Sequence, residues 1–114
     1  TARRGAEDSE RKAGAARKQV RATALIASRK LAKQAIRAAD QARWPEAEIR
    51  AEAAASMVPD GPWGEYAMGM IALARRDRQG AQSRLRIVLE KHPDHIASRA
   101  DLSRILAMEG RLDA

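Results

Sequence analysis

Residues 62–95 read PWGEYAMGMIALARRDRQGAQSRLRIVLEKHPDH. The stretch opens at a strong break, Pro59-Asp60-Gly61-Pro62, and closes at another, His92-Pro93-Asp94. Arg76-Asp77-Arg78 marks a weaker turn near its middle. Before that turn the apolar residues Met68, Ile71 and Ala72 fall at helical spacing, and after it Ala81, Leu85, Val88 and Leu89 do the same. Three- and four-residue spacing puts such residues on one face of an amphipathic helix. The segment therefore predicts two helices of about 12–14 residues joined by a short turn.

Outward from this segment the chain repeats itself at an offset of 34: Ala47 becomes Ala81, and Pro59 becomes Pro93. Ala35, Gly69 and Ser103 form a series of small residues at the same interval. A fixed period of this length signals stacked helical units, which as a class present extended surfaces to other proteins. Upstream, from about Ser9 to Ala42, there is no Pro and only one Gly, Gly14. This predicts one long helix, reaching roughly 50 Å at 1.5 Å per residue. Helices are then expected near 45–57, 63–75, 79–91 and 96–109. Trp44-Pro45 starts the second, because Pro is favoured where a helix does not need its N–H. Asp94 is the expected cap of the last helix and Gly110 its expected end.

Composition sets the class. Alanine supplies most of the apolar residues, there is no Phe, and β-branched runs of period two are absent. Alanine is the best helix former, so the fold class is all-α. The chain of 114 residues allows one domain. There is no Cys, hence no disulfide framework or thiolate nucleophile. No apolar run approaches the roughly 18 residues of a membrane span, and no signal peptide is visible in the charged first residues. A cytoplasmic location is expected, including as the soluble part of a membrane-anchored protein.

The formal net charge of +7 is uneven. Residues 1–37 hold eleven bases against three acids, and the rest eleven bases against twelve acids. Basicity therefore argues for nucleic acid or an anionic membrane only through residues 1–37. Arg3, Arg4, Arg11, Lys12, Arg17, Lys18 and Arg21 lack the interleaved aromatics that stack bases. A soluble linker helix is the plainer reading of residues 1–27.

The period and the small-residue pattern resemble the tetratricopeptide repeat, a family of 34-residue units of two antiparallel helices. Residues 62–95 match best: Gly69 at the small site, Ala81 at the helix crossing, Leu85 in the aromatic's place and Pro93 at the end. Met68 and Ala72 fill the leucine and tyrosine sites. Residues 28–61 match through Leu31, Ala35, Trp44, Ala47 and Pro59. Residues 96–114 supply Leu102, Ser103, Leu106 and Gly110, then stop before a second helix. The chain departs from the family in lacking its tryptophan, in Arg76 where a turn glycine is usual, and in Gln34 at a core site. The fold implied is an α-solenoid-like stack of antiparallel helical hairpins over 28–114, with a long N-terminal helix. The chain reads as a fragment of a larger protein. Its Ala- and Arg-rich usage suits a GC-rich bacterium, where charged Ala-rich helices are joined to such repeats in some multidomain proteins.

The resemblance implies a concave groove lined by the first helix of each unit, binding a protein or peptide segment. Its residues would be Arg29, Ala32, Ile36 and Ala39, then Trp63, Tyr66, Met70 and Leu73, then Ala97, Ala100, Arg104 and Met108. Trp63, Tyr66 and Met70 would form an adaptable apolar patch flanked by Arg29 and Arg104, the residue types that dominate binding hot spots. The competing reading has Trp63 capping a loop and Tyr66 covering a neighbouring helix. The lysine–asparagine clamp by which some members bind C-terminal carboxylates is not implied, since the chain has no Asn.

Catalysis finds no support: there is no phosphate-binding glycine loop and no His-Glu helix motif. No cofactor or metal is expected. His92 and His95 flank a Pro-Asp turn but lack a third ligand, and Asp94 serves better as a cap. Leu102, Ile105 and Leu106 would lie uncovered on the last helix, so self-association is expected, most simply as a two-fold dimer. Its contact would use that face, the first helix, or both. A heptad reading of the first helix puts Val20, Ala24, Ala27, Leu31, Gln34 and Ala38 on one seam.

Overall fold

The computed structural model describes the backbone of residues 2–113 and the side chains of 3–111. Thr1 and Ala114, the outer residues of the two segments 1–27 and 28–114, lie outside the described residues. Five helices follow one another: α1 (Ala2–Asp40), α2 (Trp44–Met57), α3 (Trp63–Ala74), α4 (Arg78–Lys91) and α5 (Ile96–Asp113). Among the described residues there is no strand, so the all-α class stands. No helix is long and apolar enough to cross a membrane.

Each helix packs on the next, and α1 also packs on α3. Contacts between α1 and α2, and between α2 and α3, run in opposite directions. Ser28 reaches Ala54 while Gln34 reaches Arg50. Gly64 meets Ala55 while Arg75 meets Glu48. These two pairs of helices are thus antiparallel. Both ends of α4 are displaced by 34 from those of α2, and the end of α3 by 34 from that of α1.

The turns repeat as well. Arg43 N–H donates to Ala38 C=O, and Ala42 N–H to Ala39 C=O. In the second hairpin Asp77 N–H donates to Ala72 C=O, and Arg76 N–H to Leu73 C=O. These paired bonds are the Schellman closure of a helix end. Its left-handed residue is Ala42 at φ 58° in one turn and Arg76 at φ 66° in the other. Neither is the Gly that such a position favours.

Two clusters form the core. Between α1, α2 and α3 it is almost wholly alanine: Ala32, Ala35, Ala38, Ala39, Ala47, Ala51, Ala54 and Ala67, with Ile71. Small side chains let the helices approach closely. A Cβ on Gly64 would sit 2.6 Å from Ala55 Cα, so α2 and α3 touch there through backbone. Ser28 is buried in this region and its hydroxyl donates to Ala54 C=O at 2.8 Å. Between α3, α4 and α5 the core is larger in side chain: Tyr66, Ala81, Leu85, Val88 and Ile105.

Three local expectations are corrected. The cap of α5 is His95, not Asp94: Arg99 N–H donates to His95 C=O, and His95 Nδ1 accepts from Ser98 N–H at 3.3 Å. Gly110 does not end α5, which continues to Asp113. Beyond its own helix backbone and chain neighbours, nothing lies within 4 Å of a Cβ built on Gly110, and one glycine costs a helix only about 1 kcal/mol. The C-terminal face is also less bare than the pattern implied. Ile105 is buried against α4 and only 1% exposed, Leu102 is half-buried, and Leu106 alone of the three is open.

The first half of α1 stands away from the rest. Residues 3–23 are exposed at every position but Gly14. This projection stretches the molecule to 72 × 29 × 14 Å. Among the described residues its hydrogen-bonded tether to the stack is the Arg21 fork on the Asp60 carboxylate, at 3.2 and 3.3 Å. That bond and the Arg21 charge hold the Asp60 carboxyl below its ordinary range.

Candidate protein-binding groove

The face shared by α1, α3 and α5 is built from half-buried side chains. Ile36 of α1, Trp63, Met70 and Leu73 of α3, and Ala97 and Leu102 of α5 all pack onto the second core cluster. The helices place them there because positions three, four and seven apart share a face. On the rim, Arg29 is exposed and sets its guanidinium 5.6 Å from the Trp63 ring centroid, within cation–π range. On the opposite rim Arg104 is exposed and bonded to Asp101, and Met108 is 43% exposed.

Not every expected groove residue is available. Ala32 and Ala39 are buried in the alanine cluster, because α3 packs over that side of α1. Tyr66 is buried too, and its hydroxyl donates to Asp101 Oδ2 at 2.5 Å. It is a brace between α3 and α5 rather than an open anchor, as the competing reading of Tyr66 had it. Burial first, then the bond to Asp101 and its charge, push the phenol well above its ordinary range. Arg29, Ile36, Trp63, Met70, Leu73, Arg104 and Met108 all retain solvent-accessible surface.

Beneath the rim lies a polar and aromatic cluster that sequence reading did not assemble. His95 packs edge-on against Trp63 at 4.7 Å and Tyr66 at 5.4 Å between centroids. Trp63 and Tyr66 meet at 5.8 Å in the same manner. Such edge-to-face contacts add to simple burial. Since His95 Nδ1 accepts the Ser98 N–H, the ring proton belongs on Nε2, which is buried without a hydrogen-bond partner. Ser98 Oγ, fully buried, lies 2.7 Å from Nδ1. Burial first, then the His92 charge, lower the His95 pKa, while Asp94 and Asp101 oppose the shift. The pairing of Ser with His is that of a capped helix, because the hydroxyl is sealed from solvent.

The two histidines turn to different tasks. His92 Nε2–H donates to Asp60 C=O at 2.8 Å, tying the end of α4 to the loop before α3, while His95 caps α5. The buried Asp101 had a faint signal in the sequence, an acid three residues before Arg104 on the same helix face. Its bond to Tyr66 spans 35 residues and no local pattern announces it.

Comparison with protein-family models, with curated proteins and with solved structures finds no match to this chain.

Proposed function

We propose that the chain is a non-catalytic interaction module, a tetratricopeptide-like stack that binds a peptide or protein segment along the face of α1, α3 and α5. The observation that carries this reading is the continuity of half-buried apolar side chains across that face, Ile36, Trp63, Met70 and Leu73, between two arginines. Apolar surface that is preformed and rimmed by Arg suits an interface centre. The 34-residue recurrence of helix ends and turns supports the stacked-repeat part of the proposal.

Peptides selected from a displayed library against the immobilised chain test it. Met70→Glu and Leu73→Glu should each weaken the selected peptides at least tenfold. Ile49→Glu, at an exposed position of α2, should leave them unchanged. Equal effects at all three positions, or none at any, reject the groove. A second reading rests on the seven exposed cations between Arg3 and Arg21, which suit nucleic acid or an anionic membrane. Binding by that route must fall steeply with salt and vanish when residues 1–20 are deleted, whereas groove binding survives both.

A further inference from the structure

The face of α1 that α2 covers does not stop where α2 stops. Ala24, Ala27, Leu31 and Ala38 share one side of α1, and Ala38 is buried beneath the turn into α2. At the same angle the side continues toward the N-terminus through Val20, Ala16, Ala13, Ser9 and Ala6, a heptad spacing. Nothing covers these residues, and Val20 is 69% exposed. Where α2 ends, the face opens into a groove of about 400 Å³ whose floor is Ala16, Val20, Ala24, Met57, Val58 and Pro59, with Arg17, Arg21 and Asp60 at its edge.

Charge says what fits there. Among the described residues Glu7 takes Arg3 and Asp8 takes Arg11 within the helix. Among the described residues Glu10 is the acid of this segment left without an ion pair, and Arg17 is unpaired as are Arg4, Lys12 and Lys18. Glu10 and Arg17 lie seven residues apart, two turns along the same flank of the heptad face. A second copy laid antiparallel places its Arg17 against Glu10 and its Glu10 against Arg17, closing two equivalent ion pairs. A parallel copy would instead bring Lys12 toward Arg17, like against like.

We propose that the chain is a two-fold antiparallel dimer through the projecting half of α1, each copy seating its first turns in the other's groove at Val20, Ala24 and Met57. This pairing is independent of the α1–α3–α5 groove. Sedimentation equilibrium of residues 1–114 at about 0.1 M salt tests it. The unaltered chain should dimerise, Glu10→Arg and Arg17→Glu should each weaken the dimer at least tenfold, and the doubly altered chain should recover it. Because positions 10 and 17 are exposed, and the hydrogen-bonded link of residues 3–23 to the stack among the described residues is Arg21 to Asp60, these changes should leave the thermal midpoint of the stack unmoved.

Direction is read separately, since the chain has no native Cys. Ala6→Cys alone should not form a disulfide dimer, whereas mixed with Thr23→Cys it should. A monomer at all concentrations, no recovery in the double variant, or ready self-crosslinking through position 6 each overturns the proposal. Met70→Glu must leave the dimer intact, so a failed groove and a failed dimer are told apart.

Discussion

The two halves of α1 have similar residues and opposite surroundings. Residues 3–23 and 24–40 are both rich in Ala, Arg and Lys. The first half buries nothing, while the second buries Ser28, Ala32, Ala35, Ala38 and Ala39. Alanine is helix-forming in either place, but it carries too little apolar surface to seek cover by itself. Whether an Ala is core depends on whether another helix reaches it, and α2, fourteen residues long, reaches only to about Ala24. The contrast can be pressed by substitutions that act on one region and spare the other.

The largest effect should come at a glycine. Gly64→Ala puts a methyl 2.6 Å from Ala55 Cα and 2.8 Å from Ala55 N. Backbone cannot yield as a side-chain tip can, so α2 and α3 must part, at a cost of about 3 kcal/mol. The thermal midpoint should fall by roughly 12 °C. Gly14→Ala meets only the tip of Arg17 at 3.9 Å. It should firm the projecting helix by about 1 kcal/mol, seen as added helical dichroism, with the stack's midpoint unchanged. A Gly64→Ala chain as stable as the original would show that the helices do not touch there.

Next in size is Tyr66→Phe. It removes the hydroxyl that donates to buried Asp101 and leaves Arg104 as the remaining partner. A hydrogen bond to a buried carboxylate is worth about 2 kcal/mol, so urea unfolding should shift to lower midpoint with unchanged slope. An unchanged midpoint would mean that solvent reaches Asp101.

A smaller effect should appear with pH. The folded pKa of His95 is lowered, so the unfolded chain takes up that proton first, near the ordinary value of about 6.5. The His95 contribution is fully present above that pH and is lost as pH falls through the lower folded value. A charged His95 also gives up the Nδ1 lone pair that caps α5. Thermal midpoints measured at pH 7.5 and 5 should therefore fall toward acid, and less so in His95→Asn, which caps without titrating. Identical pH slopes in the two chains would remove His95 from the account.

The smallest effect is a gain. Arg76→Gly relieves a left-handed non-glycine residue at φ 66°. Relief of about 1–2 kcal/mol is partly offset by the freedom glycine has in the unfolded chain, leaving about 0.5 kcal/mol. Ala42→Gly should do the same at φ 58°, and the two gains should add, because the turns lie on separate hairpins. Destabilisation by either would contradict the turn geometry.

Residues set apart by punctuation were legible before the fold was known. The period of 34 in the sequence returns in the ends of α2 and α4, because Pro and the residues that close turns act through local backbone geometry. The boundaries at Trp44, Trp63 and Lys91 fall within one or two residues of those read from Trp44-Pro45, Pro62-Trp63 and His92-Pro93. Site residues were less legible. Trp63, Met70 and Leu73 are half-buried against the second core cluster. Tyr66 shares the same spacing, yet a carboxylate one repeat away turns it into a buried brace.

By itself, then, the chain's order of Ala, Pro and Gly determined where α2, α3 and α4 begin and end to within a residue or so, since these are choices each residue makes with its nearest neighbours. Only the tertiary structure decided which alanines are core, which histidine caps α5, and that Asp101 lies buried under Tyr66 and Arg104. Those outcomes depend on contacts between residues far apart in sequence, and the free energy of burying a group is set by what lies opposite it.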